Sequence, residues 1–262
     1  MDNNPLSDGK PELLEISSGR DYLIVEKLGA KIVGLSLAGV QILNTPDGLR
    51  FDHKQAVTHP CSPNFGAFGM DLGFPKHGSI RNTLLNEVDH ASEPRAGRFV
   101  LSAPIMADGY PSGVTFSQEF SLHEGVCRIV TTHKNEGAVS APVVSGEHFY
   151  WAAGQTGWDK AAINEKSIAD LVKSEGVADI APENRIVIPG HAAILLKQSG
   201  YTRAVYWSMP HMDGRNFDKH YFCFEPVEFD PSDFGKAETL IQPGHTRTSV
   251  IQLSLMQDLG KN

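Results

Sequence analysis

The sequence predicts an all-β protein built from antiparallel sheets. Segments of alternating apolar and polar residues, rich in β-branched side chains, recur along the 262 residues. Turn signals such as His123-Glu124-Gly125 separate these segments at the spacing of antiparallel hairpins. Crossover helices, which a parallel sheet requires, are missing. We therefore expect a large β-sandwich that forms a single domain over residues 1–262, with its core at about 20–255.

The strands are predicted in order along the chain. The second of them contains Leu37-Ala38-Gly39, a turn that divides it into a hairpin, and Asn135-Glu136-Gly137 ends the fifth. The predicted strands are YLIVE (22–26), AKIVGLSLAGVQIL (30–43), RFVLSA (98–103), VTFSQEFSL (114–122), VCRIVTTH (126–133), RAVYWS (203–208), HYFCFEPVEF (220–229) and RTSVIQLSL (247–255).

One stretch has helical periodicity. In INEKSIADLVKSEG (163–176), the residues Ile163, Ile168, Leu171 and Val172 are spaced to form a short apolar stripe. The sequence predicts a helix there.

Composition and charge narrow the class of partner. The formal net charge of -8 repels nucleic acid and anionic membranes and favours a neutral small molecule. The cysteines Cys61, Cys127 and Cys223 are odd in number and widely spaced, which is typical of a reducing compartment. The N-terminal residues lack the basic start and apolar run of a signal peptide, and no 18-residue apolar stretch occurs, so we expect a cytoplasmic protein.

Histidines and aromatic residues are concentrated in three segments, and the first is residues 59–81. It is a loop rich in glycine and proline in which His77 and Arg81 lie four positions apart. Such loops often carry functional residues. The alternative is that His77 binds a backbone carbonyl and Arg81 forms a surface ion pair, and spacing alone does not decide between them.

The second segment, residues 147–158, begins EHFYW. Its His148 stands between an acid and three aromatic residues. Aromatic faces beside an imidazole suit a sugar, which has apolar C–H patches and polar edges, and histidine can also act as a general acid. The alternative is that Phe149, Tyr150 and Trp151 belong to the core or a strand edge around a structural histidine.

The third segment, residues 206–226, contains Glu225 in a strongly apolar strand. Period 2 places Glu225 on the face of Tyr221 and Cys223, opposite Phe222 and Phe224. A buried carboxylate there is a candidate general base, because burial raises its pKa. The alternative is a solvent-facing glutamate on a half-buried strand.

A metal site is a further possibility in the same region. Its potential ligands are His211, Asp213, Asp218 and His220, but no pair has the spacing that fixes two imidazoles on one face. The phosphate motifs GxGxxG and GxxxxGK[ST] and the nucleophile elbow GxSxG are absent.

Taken in order, several motifs resemble those of the aldose 1-epimerase (galactose mutarotase-like) superfamily, nearest the hexose-6-phosphate mutarotase branch. They cover most of residues 20–255 and read HPCSPNFG, FPKHGSIRN, EHFYW, AVYWSMP, YFCFEPV and PGHTRTSVIQLSL. The resemblance implies an antiparallel β-supersandwich with a sugar site in a groove on one sheet.

The resemblance also implies the roles of the site residues. Glu225 would be the base and His148 the acid of ring opening, while His77 and Arg81 would line the sugar site. Trp151 and Asp213 are further candidates for sugar binding, with Asp159 as an alternative to Asp213. No cofactor and no metal is implied. The expected partner is a monosaccharide, bound by a monomer or homodimer.

Three other functions stay open. The chain could be a non-catalytic carbohydrate-binding protein on the same scaffold, since a fold does not fix a function. It could be a hexose-6-phosphate 1-epimerase, although residues 56–60, AVTHP, lack the basic residue and glycines usual in that branch. It could also be a metal-dependent β-sandwich enzyme that uses the cluster at 211–220.

Overall fold

The computed structural model describes residues 11–43, 57–93, 96–153, 158–174, 176–190, 193–207 and 221–256. Antiparallel strands dominate these ranges, so the predicted all-β class is confirmed. The strands are β1 (Leu13–Ser18), β2 (Asp21–Glu26), β3 (Lys31–Leu37), β4 (Val40–Gln41), β5 (His59–Cys61), β6 (Asn86–Glu93), β7 (Ala96–Pro104), β8 (Val114–His123), β9 (Val126–Asn135), β10 (Ala141–Pro142), β11 (Gly146–His148), β12 (Tyr150–Ala152), β13 (Ala162–Ile163), β14 (Lys166–Ser167), β15 (Val177–Asp179), β16 (Glu183–Val187), β17 (Ile194–Ser199), β18 (Arg203–Trp207), β19 (Tyr221–Val227), β20 (Leu240–Ile241) and β21 (Thr246–Leu255).

Helices are short in the described ranges. The α-helix α1 covers Ile168–Ser174, and none of the described helices is long and apolar enough to span a membrane. The 3-10 helices are Met70–Leu72, Ile80–Asn82, Trp158–Lys160, Pro231–Asp233 and Ala237–Thr239.

The predicted helix over 163–176 is wrong in its first half. Ile163 ends β13, and the chain turns through Asn164 and Glu165, whose φ angles of 48° and 70° are left-handed. The chain returns as β14, which pairs with β13, before α1 begins at Ile168. The apolar stripe survives only in α1, where Ile168 and Leu171 are buried.

Two large sheets position the candidate site. The nine-stranded sheet has the order β14-β13-β16-β17-β21-β9-β8-β7-β6, and the six-stranded sheet has the order β15-β18-β19-β11-β5 with β12 also paired to β19. The long strands β7, β8, β9 and β21 alternate buried and partly exposed residues, as the period-2 pattern predicts. The predicted hairpin at His123-Glu124-Gly125 joins β8 to β9, and Glu124 and Gly125 both have positive φ angles.

Side chains from both large sheets share one hydrophobic core. The six-stranded sheet contributes Phe149, Trp151, Phe222 and Phe224, which pack with apolar residues of the nine-stranded sheet such as Ile129. One face of the six-stranded sheet therefore packs into the core. The candidate site lies on its other face.

Candidate active site

The strand β19 separates apolar from polar side chains by face, as its sequence predicts. Phe222 and Phe224 enter the core, whereas Tyr221, Cys223 and Glu225 lie on the opposite face. Glu225 is nevertheless only 1% exposed. The alternative of a solvent-facing glutamate is therefore wrong, and a buried carboxylate stands on the outer face of this sheet.

Pairing of the neighbouring strands brings His148 to Glu225. Gly146 pairs with Val227 and Tyr150 pairs with Cys223, so the same register sets His148 opposite Glu225. The Nε2 atom of His148 lies 3.5 Å from the Oε2 atom of Glu225. Neither carboxylate oxygen, nor Nδ1 of His148, has a hydrogen-bond partner in the described part of the chain. These three atoms are therefore buried polar atoms whose hydrogen bonds no described residue satisfies.

Aromatic rings hold the His148 imidazole in place. Its ring stacks on Tyr150 with centroids 4.6 Å apart and on His59 with centroids 5.0 Å apart. Phe65 is also stacked, at 6.4 Å. This stack restricts the tilt of the ring, so Nε2 remains directed along the sheet face towards Glu225.

His77 reaches the same place from the loop between β5 and β6. Its ring centroid lies 5.0 Å from that of His148. The backbone N–H of Gly66 donates to Nδ1 of His77 at 3.3 Å, and the Cys61 Sγ lies 3.3 Å from the same nitrogen. Since Nδ1 accepts, the neutral ring carries its proton on Nε2. His77 can therefore donate a hydrogen bond to an oxygen of a ligand.

Arg81 belongs to the 3-10 helix Ile80–Asn82, which Ile80 anchors in the core. Its guanidinium is close enough to lower the pKa values of His59, His77 and His148. Arg81 is half-buried and forms no ion pair with any described residue. It is therefore a positive charge available at the edge of the site, and the alternative of a surface ion pair is not supported there.

Burial controls the protonation of the site. Desolvation raises the pKa of Glu225 well above its usual range, against an opposing effect of Lys76, and lowers the pKa of His148 well below its own. Burial also lowers the pKa of His77 to about 4 and that of His59 to about 3. The pKa shifts of Glu225 and His148 both favour an uncharged imidazole beside a protonated carboxyl group.

Trp151 does not line this face, so its assignment as a sugar-binding residue is corrected. It is fully buried in the core, where Nε1 donates to the Phe224 carbonyl at 3.0 Å. Alternation along β12 reverses the direction of adjacent side chains. Tyr150, one position earlier, faces the site instead, and Trp207 of β18 lies 6.4 Å from His148 between ring centroids and is 39% exposed.

Of the remaining predicted residues, the structure describes only Asp159. Asp213 lies outside the described residues, as do His211, Asp218 and His220 of the possible metal cluster. Asp159 is exposed, with an oxygen 3.6 Å from the Lys160 Nζ.

Among the site residues that sequence reasoning missed are His59, Cys61 and Tyr150. The sequence could have predicted Tyr150, because it stands two positions after His148 and so shares its face. No sequence pattern predicts His59 or Cys61, since they reach the site through the pairing of β5 with β11, in which His59 lies opposite His148.

Buried polar groups fix the site strands from behind. Glu147, adjacent to His148, accepts hydrogen bonds from Gln118 of β8 and Thr131 of β9. Burial raises the pKa of Glu147 to about 8. Glu228, just after β19, accepts from the Ser249 hydroxyl of β21 and the Ser145 backbone N–H. These bonds link β11 and the end of β19 to the nine-stranded sheet.

Comparison with known proteins identifies the fold. No family model and no curated protein matches the chain. Among solved structures, the Slr1438 protein from Synechocystis sp. PCC 6803 has a TM-score of 0.74 at 14% identity, over 98% of this chain and 100% of that one. A proposed aldose 1-epimerase from Escherichia coli K12 has a TM-score of 0.72 at 19% identity, over 94% and 99%. A galactose mutarotase-like protein from Lactobacillus casei has 0.71 at 15% identity, over 94% and 100%. The chain has the galactose mutarotase-like fold.

Proposed function

We propose that the protein is an aldose 1-epimerase that interconverts the α and β anomers of a hexose or a related sugar. One observation carries the proposal: Nε2 of His148 and Oε2 of Glu225 lie 3.5 Å apart on the outer face of the six-stranded sheet. Anomer exchange needs one proton donor and one proton acceptor for the two oxygens of the same hemiacetal carbon. The similarity to epimerase-like structures supports the same activity.

The reaction opens the sugar ring. The Glu225 carboxylate takes the proton of the C1 hydroxyl, the C1–O5 bond breaks, and the protonated His148 imidazole gives its proton to O5. The product is the open-chain aldehyde. Glu225 is then protonated and His148 neutral, which is also the state that burial of the two residues favours before a sugar binds. Ring opening in this direction therefore starts from the less favoured, charged form of the same two residues, which carries the same number of protons.

Ring closure reverses these transfers. The aldehyde rotates about its C1–C2 bond, which presents the other carbonyl face to the O5 hydroxyl. His148 then removes the O5 proton as the new C1–O5 bond forms, and Glu225 returns its proton to the oxygen on C1. The pair ends in its starting state, so no net proton is consumed.

The remaining groups hold the sugar. The Nε2–H of His77 and the guanidinium of Arg81 would donate to ring or hydroxyl oxygens and stabilise negative charge that develops on oxygen. The exposed face of Trp207 suits the apolar C–H side of a pyranose. Tyr150 supports the acid by stacking on it.

A phosphorylated hexose is a second candidate substrate. Lys76 and Arg81 both act electrostatically on the site, and Lys76 opposes the upward pKa shift of Glu225. Within the described residues neither cation is neutralised by an ion pair. A phosphate on the sugar would supply the missing negative charge.

Two-dimensional exchange NMR on a panel of aldoses, with and without a 6-phosphate, tests the proposal. We expect the protein to accelerate α/β exchange above the spontaneous rate, which a sample without protein measures. Acceleration restricted to the phosphates would assign the second candidate. Saturable binding without acceleration for any sugar would overturn catalysis and indicate a carbohydrate-binding protein.

A further inference from the structure

Three side chains of the types that commonly bind metals lie close together on the outer face of the six-stranded sheet. His148, Cys223 and Glu225 each offer one ligand atom, and these atoms all lie within 4.8 Å of one another. All three residues are buried. Both Glu225 oxygens and the His148 Nδ1 have no hydrogen-bond partner in the described ranges, so the cluster contains unsatisfied buried polar atoms. Proton exchange with a sugar uses His148 and Glu225 but gives no role to the thiol.

The backbone fixes this convergence. Cys223 and Glu225 stand two positions apart on β19 and so project from the same face. Strand register places His148 across from Glu225. Ideal tetrahedral zinc geometry separates a sulfur and a nitrogen ligand by about 3.5 Å. The ligand atoms therefore need to move inward by about 1 Å, which side-chain rotation can supply without a change in the strands.

We infer that His148, Cys223 and Glu225 bind a thiophilic divalent cation such as Zn²⁺, and that the bound ion inhibits the enzyme. One sulfur, one nitrogen and one oxygen ligand suit Zn²⁺, whereas Mg²⁺ and Ca²⁺ require oxygen ligands. A thiolate and a carboxylate together balance the charge of the ion. The ion blocks catalysis because it occupies the proton-transfer atoms of His148 and Glu225. The inhibition, unlike the binding, rests on the proposed epimerase function.

Nearby cations limit how tightly the ion is held. Lys76 and Arg81 both act electrostatically on His148, and each repels a second positive charge. Three protein ligands also leave the fourth zinc position to water. We therefore expect a reversible inhibitory site that a chelator clears, rather than a metal required for folding.

Metal binding is tested with Co²⁺ as a spectroscopic probe and Zn²⁺ in calorimetric titration. We expect binding of one ion per chain, with a thiolate-to-Co²⁺ charge-transfer band in the near ultraviolet. Cys223→Ala should remove the band and weaken Zn²⁺ binding at least about 100-fold, since loss of an outer-shell partner alone costs 10–100-fold. Cys127→Ala, which changes a buried free cysteine on β9, is the matched control and should retain both.

The site is wrong if Co²⁺ gives no thiolate band, or if the band survives in Cys223→Ala. Loss of the band in Cys61→Ala but not in Cys223→Ala would also overturn it, because Cys61, whose thiol contacts His77, is not one of the three proposed ligands. Each variant is compared in the folded state, confirmed by near-ultraviolet circular dichroism.

Inhibition is measured as the ratio of exchange rates with and without Zn²⁺, so that basal changes cancel. Wild type should lose activity on addition of Zn²⁺ and recover it with EDTA, while Cys223→Ala should resist the same concentration. Exchange activity without metal binding would overturn this inference and leave the epimerase standing. Metal binding without exchange activity would leave the metal site standing and overturn the epimerase function.

Discussion

At the residue scale, two adjacent side chains of β12 lie on opposite faces of the six-stranded sheet. Tyr150 stacks on His148, whereas Trp151 lies fully buried in the core. The run of aromatic residues at 149–151 does not by itself show this division, because each ring is compatible with either face. Alternation from His148 is the sequence signal that places Tyr150 on the face of His148 and Trp151 on the opposite face, and the pairing of β12 with β19 agrees with it.

We predict contrasting effects for Trp151→Phe and Trp207→Ala. Trp151→Phe removes a buried hydrogen bond to the Phe224 carbonyl and should lower the free energy of unfolding by about 1–3 kcal/mol, with the sugar KM unchanged. Trp207→Ala removes a ring that is 39% exposed and should raise KM, and it should also lower the free energy of unfolding because the rest of the ring is buried. Chemical denaturation and exchange kinetics measure both. An increased KM in Trp151→Phe at unchanged stability would restore the sequence-based assignment.

At the element scale, the loop that carries His77 depends on a close backbone contact. Gly78 has a φ of +79°, and a Cβ placed there would lie 2.0 Å from the Ser62 carbonyl oxygen. His77 itself has a φ of 66°, so two successive residues adopt left-handed backbone. This turn directs the His77 ring back towards Cys61 and His148.

Gly78→Ala should therefore lower the free energy of unfolding by more than the strain of a left-handed backbone alone would. Gly19 is the matched control, because its φ is +65° and a Cβ placed there would meet no atom within 4 Å. Gly19→Ala should cost about 1–2 kcal/mol, the usual penalty of left-handed backbone. Gly78→Ala should cost at least about 2 kcal/mol more, measured by denaturation, because backbone must also move. Equal losses would show that the contact with Ser62 is unimportant.

Elements with long, regular patterns were the predictable ones. The strands β2, β3, β7, β8, β9, β18, β19 and β21 lie where alternation placed them. Strands of two or three residues, such as β5 and β11, are too short to show a period, although they carry His59 and His148. The helix prediction failed at Asn164-Glu165 because a hairpin turn competes with the same apolar spacing.

At the scale of the whole molecule, the interior between the two large sheets contains titratable groups. His133 of β9 is fully buried, and its Nε2 lies 2.8 Å from the Ser62 hydroxyl. Burial lowers the pKa of His133 to about 3, from an unfolded value near 6.5. The unfolded chain therefore binds this proton first as the pH falls. The folded state loses stability from about pH 6.5 down to about pH 3.

We predict that His133→Gln reduces the pH dependence of unfolding. Between pH 7 and pH 4.5 the wild-type histidine should cost about 2–3 kcal/mol that the variant avoids, at 1.36 kcal/mol per pKa unit. Denaturation curves give the change in unfolding free energy between the two pH values for each protein. Comparing these two changes cancels the direct effect of the substitution. Parallel losses in the two proteins would show that His133 is not the group responsible.

The candidate site was predictable in its reacting residues and unpredictable in its surroundings. Glu225 stood out as a carboxylate in an apolar strand, and His148 as an imidazole among aromatic residues. Their juxtaposition required the register between β11 and β19, which no local pattern encodes. The supporting contacts of His148 with His59, and of Glu147 with Gln118 and Thr131, also depend on long-range pairing.

The most direct measurement is the rate of α/β exchange catalysed by Glu225→Gln relative to wild type. The substitution keeps the shape of the side chain and removes its proton acceptor, and Glu183→Gln, which changes an exposed residue of β16, is the control. We expect a loss of about 10²-fold to 10⁴-fold in the catalysed rate, the usual contribution of a positioned general base, with Glu183→Gln unaffected. A folded Glu225→Gln protein that retains full exchange activity would contradict the assignment of Glu225 as the base.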